Sequence, residues 1–119
     1  MRTRVLGNGG PEVSSVGLGT NNFGGRIDYE QSLAVIDAAL DAGVTLLDTA
    51  DIYGQGTSEE FIGRALEGRR DAVLIATKFG KEMDERPDKS RGSRDYIRWA
   101  VEGSLRRLRT DVIDVYQMH

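Results

Sequence analysis

An acid, a phenol, an amine and an imidazole follow one another along this chain as Asp48, Tyr53, Lys78 and His119. Such a set can hold, give and receive a proton. A carboxylate keeps an ammonium charged and fixed, and an imidazole can orient an oxygen or share its proton. A free tyrosine titrates near about 10, too high for an effective acid at neutral pH, and a neighbouring ammonium favours its phenolate. The combination suits protonation of an oxygen on which negative charge is growing. Each residue also has a plainer reading. Asp48 alone is a loop-entry acid, Tyr53 a packing residue in the glycine-rich run Ile52-Tyr53-Gly54-Gln55-Gly56, Lys78 a solvated strand-end charge, and His119 an inert side chain beside a chain end. Taken together and in order, they favour function.

The elements that must position these groups alternate between strand and helix. Arg4-Val5-Leu6 and Glu12-Val13-Ser14 flank a turn at Asn8-Gly9-Gly10-Pro11, which predicts a short hairpin. Strands are expected at Ser15–Gly19, Val44–Asp48, Val73–Thr77 and Val112–Met118. Asp28 with Gln31 forms a capping box that opens a first helix, with Ile36 and Leu40 as its core contacts and Gly43 as its stop. Thr57 to Leu66 forms a second helix. Ser93 caps a third, with Ile97, Val101, Leu105 and Leu108 predicted on its buried face. The later strands are apolar on both faces, which implies a parallel sheet covered by helices.

Strand parity then bears on the chemistry. If Asp48 points inward, so does Leu46; Lys78 takes Ala76 and Leu74 with it, and His119 takes Gln117 and Val115. In each row the polar group stands at the C-terminal end, where parallel barrels build their sites. Tyr53 lies just beyond the second strand, within reach of the same rim. Asp51 and Asp114 are expected to serve in structural hydrogen bonds. In the charged stretch from Gly80 to Gly92, which contains Pro87, residues Lys81, Glu82, Asp84, Glu85, Arg86 and Asp88 are expected to be solvated, with a substrate lid as the alternative.

Composition excludes several classes. The 119 residues, 39% hydrophobic and 29% charged, suffice for one domain spanning 1–119 with a core. A formal net charge of −3 gives no footprint for nucleic acid or an anionic membrane. With no cysteine and one histidine, disulfides, thiolate sites and multi-histidine metal sites are excluded. No apolar run approaches a bilayer's thickness, and the N-terminus has no signal core, so a cytoplasmic setting is expected.

Longer motifs carry a resemblance. Leu47-Asp48-Thr49-Ala50-Asp51-Ile52-Tyr53-Gly54, with Glu59-Glu60 beyond it, resembles the aldo-keto reductase signature. Ala76-Thr77-Lys78-Phe79-Gly80 is similar to the segment bearing that family's catalytic lysine, and Asp114-Val115-Tyr116-Gln117-Met118-His119 to the strand ending in its catalytic histidine. Gly17-Leu18-Gly19-Thr20-Asn21-Asn22-Phe23-Gly24 resembles its first strand and cofactor-contacting turn. The resemblance runs the whole chain in family order. It implies an NAD(P)H-dependent oxidoreductase acting on aldehydes or ketones. Asp48, Tyr53, Lys78 and His119 would be catalytic, and Gly19, Thr20, Asn21 and Asp48 would lie near the nicotinamide. NADPH over NADH is the family's usual preference.

Three other readings stand beside this one. Gly17-Leu18-Gly19 invites a dinucleotide-fold reading, but Asn22 stands where that fingerprint's third glycine would fall. Lys78 could serve a Schiff-base aldolase. The chain could also be a regulatory or interaction subunit without turnover.

Fold class is therefore α/β. The chain is expected to supply the N-terminal half of a parallel (β/α)8 barrel, a hairpin plus about four strands and three helices, since a complete barrel needs roughly 250 residues. In half a barrel the inner row of Leu46, Leu74, Ala76 and Val115 would face water and two strand edges would be open. Self-association, a complementary half-barrel, or origin in a longer protein is the expectation.

Overall fold

A computed structural model of the chain describes residues 1–83 and 90–119. Asp84, Glu85, Arg86, Pro87 and Asp88, expected to be part of a solvated loop, lie outside the described residues. Lys81 and Glu82, on its near side, are exposed, whereas Met83 is buried.

The hairpin forms as its turn residues demand. Strands β1 (Thr3–Val5) and β2 (Glu12–Ser14) pair antiparallel, with Thr3 opposite Ser14, and Leu6 N–H donates to Pro11 O across the turn at 2.9 Å. Its inner end is fastened to the rest of the molecule. Ser14 N–H donates to Thr45 Oγ1 at 2.8 Å, and Thr45 N–H donates to Ser14 Oγ at 2.9 Å. Val13 is buried beside this contact. Thr45 immediately precedes a parallel strand, so the hairpin lies across the N-terminal end of the sheet.

Four parallel strands follow: β3 (Leu18–Gly19), β4 (Leu46–Asp48), β5 (Leu74–Phe79) and β6 (Val115–Met118), neighbouring one another in chain order. Helices α1 (Tyr29–Asp41), α2 (Thr57–Ala65) and α3 (Arg94–Leu108) join them. A doubly wound dinucleotide fold reverses its strand order part-way, and this sheet does not. Strands that advance one place per helix are those of a barrel wall.

Helix α1 begins where the capping box places it. Asp28 accepts from Gln31 N–H, and the Gln31 side chain accepts from Asp28 N–H in return. Gly43, at φ 84°, follows the helix C-cap Ala42. The core fills the space between helices and sheet. Ile36, Leu47, Ile62 and Ile75 are fully buried there, with Leu40 packed against them.

Three details differ from the sequence expectation. The first, second and last parallel strands are shorter than predicted. At the last, Arg70 donates to Thr110 Oγ1, Val112 O and Asp114 Oδ2, holding the approach as a pinned loop instead of a ladder. The buried face of α3 is Tyr96, Ala100, Gly103, Ser104 and Leu108, while Ile97, Val101 and Leu105 are half-buried. The face is rotated by about one residue because Gly63 of α2 lets the last turn of α3 approach closely: a Cβ there would lie 2.4 Å from Arg107 O. The inner row is also less exposed than expected, with Ala76 buried at 6% exposure and Leu46, Leu74 and Val115 half-buried.

Candidate active site

Strand register brings the polar groups together. Asp48 pairs across the sheet with Ala76, Ala76 with Val115, and Lys78 with Gln117. Alternation therefore places Asp48 and Lys78 on the inner face near its C-terminal rim. His119 follows β6, its N–H donating to Phe79 O at 2.7 Å.

Lys78 is fully engaged. Its ammonium donates to Asp48 Oδ1 at 2.9 Å, to Asp48 Oδ2 at 3.0 Å and to the Thr49 carbonyl at 2.8 Å. An ammonium has three donors, and all three are directed. That is the opposite of the free amine a Schiff-base aldolase needs, so the arrangement disfavours that reading. The Lys78 side chain is 15% exposed and Asp48 42%, so the pair opens to the rim.

Tyr53 reaches this pair through a tight turn. Tyr53–Gly56 is a kinked turn in which Gly54 and Gln55 are left-handed at φ 59° and 52°, and Gly56 has φ 98°. Gly54 has little alternative, because a Cβ there would come within 3.2 Å of both Phe23 O and Thr57 Cβ. The result sets Lys78 Nζ 5.3 Å from the centre of the Tyr53 ring. His119 completes the group, its ring edge-on to that of Tyr53 with centroids 6.1 Å apart and planes at 89°. Desolvation, then the charges of Lys78 and Lys81, push the His119 imidazole below its ordinary value, with Asp48 opposing. A neutral imidazole offers one donor and one acceptor.

The turn after β3 is anchored from behind. Thr20 N–H and Oγ1 both donate to Asp48 O at 3.0 Å. Ser58 Oγ, in the first turn of α2, lies within 3.0–3.1 Å of Thr20 O, Thr20 Oγ1 and Thr49 Oγ1. Thr20 is thus buried with its hydroxyl engaged, leaving Gly19 and Asn21 as the exposed members of the turn. A Cβ on Gly19 would meet nothing within 4 Å, so the rim beside Asp48 is open and can receive a flat ring.

Several contributors carried no sequence expectation: the Thr49 carbonyl, the Ser58 hydroxyl, and the Glu59–Arg107 pair behind the sheet. Of the two acids expected to serve in structural bonds, Asp114 does so, accepting from Ile75 N–H and Arg70 at 2.8 Å. Asp51 does not. It is buried, and its carboxyl oxygens accept no hydrogen bond of good geometry among the described residues, the neighbouring Ile52 N–H offsetting only part of the burial.

Comparison with known proteins agrees with this geometry. The sequence model of the aldo/keto reductase family matches residues 15–119. The chain belongs to that family. Its fold is accordingly the first part of a parallel (β/α)8 barrel. Among curated aldo/keto reductase relatives, it is 45% identical over 116 residues to the aldo-keto reductase YhdN of Bacillus subtilis, covering 92% of this chain and 35% of that protein. It is 42% identical over 124 residues to the uncharacterized oxidoreductase YqkF of the same organism, covering all of this chain and 39% of that one. The chain therefore spans less than half the length of these relatives. Among solved structures, the holo form of aldo-keto reductase AKR11C1 from Bacillus halodurans superposes with a TM-score of 0.91 at 40% identity, over 100% of this chain and 40% of that one. An aldo-keto reductase from Klebsiella pneumoniae in complex with NADPH gives 0.77 at 34% identity, over 91% and 36%. This aldo/keto reductase chain thus shares an oxidoreductase family and a barrel fold with these proteins. Among the described residues no helix is long and apolar enough to cross a membrane.

Proposed function

We propose that this chain carries the proton-handling half of an NAD(P)H-dependent carbonyl reductase acting on aldehydes or ketones in the cytoplasm. The observation that carries the reading is the Lys78 ammonium, tied to both Asp48 oxygens and standing 5.3 Å from the Tyr53 ring, with His119 across from that ring. NADPH, which the Klebsiella relative holds and which is preferred here over NADH, supplies the hydride when bound. The open rim at Gly19, Asn21 and Asp48 fits its nicotinamide end, with Thr20 holding the turn from behind through its bonds to Asp48 O.

The roles follow from chemistry. As hydride reaches the carbonyl carbon, charge grows on oxygen, and Tyr53 gives that oxygen a proton. The Lys78 ammonium stabilises the phenolate left behind. Asp48 keeps Lys78 charged and in place. A neutral His119 donates one hydrogen bond to the carbonyl oxygen and turns it toward Tyr53.

The edge strands β3 and β6 and the half-buried inner row support a second element of the proposal: the working unit is completed by a further half-barrel, by more of the same chain or by a second copy. The test is carbonyl-dependent loss of NADPH absorbance in the unmodified protein and in Tyr53→Phe. Equal turnover in both would overturn the mechanism.

A further inference from the structure

Behind the catalytic row lies a second polar group with no assigned duty. Thr77, which precedes Lys78, points to the opposite face of β5, where its hydroxyl donates to Glu59 Oε1 at 2.6 Å. Arg107 Nε donates to Glu59 Oε2 at 2.7 Å, and its Nη2 reaches Ser104 Oγ at 3.4 Å. Glu59, Thr77 and Ser104 are fully buried. Asp51, 1% exposed, and the Tyr116 hydroxyl border this group, neither making a side-chain hydrogen bond of good geometry among the described residues. Burial first, and Glu59 second, raise the Asp51 carboxyl to about 6, with Arg107 opposing. Burial, then Asp51 and Glu59, push the Tyr116 phenol up, and Tyr96 adds to this. Glu59 thus holds the guanidinium directly, and Asp51 lies near enough to feel both charges.

Buried charges gathered this way are costly to fold and need a compensating use. Here each member is joined to a catalytic element. Asp51 N–H donates to Lys78 O at 3.1 Å, and Asp51 stands two residues before Tyr53. Glu59 lies in the first turn of α2, directly after the Tyr53 turn. The Arg107 stem packs beneath Gly56, which closes that turn: a Cβ there would lie 2.8 Å from Arg107 Cδ. One side chain of α3 therefore touches the end of the Tyr53 turn and, through Glu59 and Thr77, the strand bearing Lys78.

We propose that Arg107 is a positioning residue for carbonyl reduction: by balancing Glu59 and Asp51 behind the sheet, it fixes the Tyr53 turn against Lys78. This rests on the reductase reading above, and the test separates the two. In the full chain, Arg107→Met, which keeps the stem and removes the charge, is expected to lower kcat by about tenfold or more. The KM for the carbonyl and the NADPH affinity, read by nucleotide fluorescence, should stay within about twofold, because Arg107 touches neither. Adding Asp51→Asn to Arg107→Met removes one of the two stranded carboxylates and should recover a large part of the lost kcat. A purely packing role predicts no such recovery.

Arg107→Lys retains the charge, guards against loss of folding, and should show a smaller fall in kcat. A second readout needs no turnover. The His119 imidazole proton signals, identified by their loss in His119→Gln, sense the Tyr53 ring 6.1 Å away and should move in Arg107→Met. Unchanged kcat with unmoved His119 signals overturns the proposal, as does a fall in kcat that Asp51→Asn leaves untouched. Turnover indifferent to Tyr53→Phe, or absent altogether, sinks the reductase reading instead. The His119 signals then still decide whether Arg107 positions the turn.

Discussion

Thr77 and Lys78 are adjacent in one strand, yet their side chains enter opposite electrostatic settings. Lys78 emerges on the inner face and meets Asp48 at an open rim, where one cation balances one carboxylate. Thr77 faces the helices, where Glu59 has 0% side-chain exposure and Arg107 16%, and Asp51 adds a second carboxylate to the single guanidinium. Charge near water is weakly coupled to folding and free to serve chemistry. Charge out of water is strongly coupled to folding and serves chemistry only through the shape it enforces.

The largest expected effect lies on the inner face. Tyr53→Phe should lower carbonyl-dependent NADPH oxidation by about 100- to 10,000-fold, the usual contribution of a placed general acid, with thermal stability nearly unchanged. On the outer face the balance is expected to invert. Glu59→Ala takes the acceptor away from both Arg107 Nε and the Thr77 hydroxyl in a buried site and should cost about 3–5 kcal/mol in denaturant titration. A loss under about 1 kcal/mol would mean that the two faces do not differ as described.

Asp51 sharpens the contrast through pH. Its folded value, about 6, lies above the ordinary 3.8, so the folded protein holds the proton longer than the unfolded chain does. The associated stability is complete below about pH 4 and is lost as pH rises through 6. Asp51→Asn, permanently neutral, should flatten stability between those values and exceed the parent above pH 6, by on the order of 2 kcal/mol. The smallest effect is expected for Asp48→Asn. Asp48 is 42% exposed but Lys78 only 15%, so their pair should contribute about 1 kcal/mol to stability, and less in high salt, while its loss still depresses turnover by releasing Lys78.

The inner face was largely legible in the sequence because its logic is local. Asp48, Lys78 and His119 each end a strand, and period-two alternation fixes which residues share their side. The Asp28 capping box, the Ser93 cap and the Gly43 stop were legible for the same reason. The outer face was not. Glu59 in the first turn of a helix reads as an acid complementing the helix dipole at the surface. Arg107, among Arg106 and Arg109, reads as a solvated helix end. Only the close approach of α2 to α3 at Gly63 buries them, and such packing leaves no periodic trace. The same contact turned the buried face of α3 from Ile97 and Val101 to Tyr96 and Ala100. Asp51 was misjudged because sequence supplies the acid but not the direction of its carboxyl.

The hairpin at the start of the chain has a practical consequence. Its reciprocal Ser14–Thr45 bonds close the N-terminal end of the strands, opposite the rim that bears Lys78. Met1, 59% exposed, lies at this closed end against Gly43. A tether or affinity tag joined there would leave the rim that bears Lys78 pointing away from any support and open to solution.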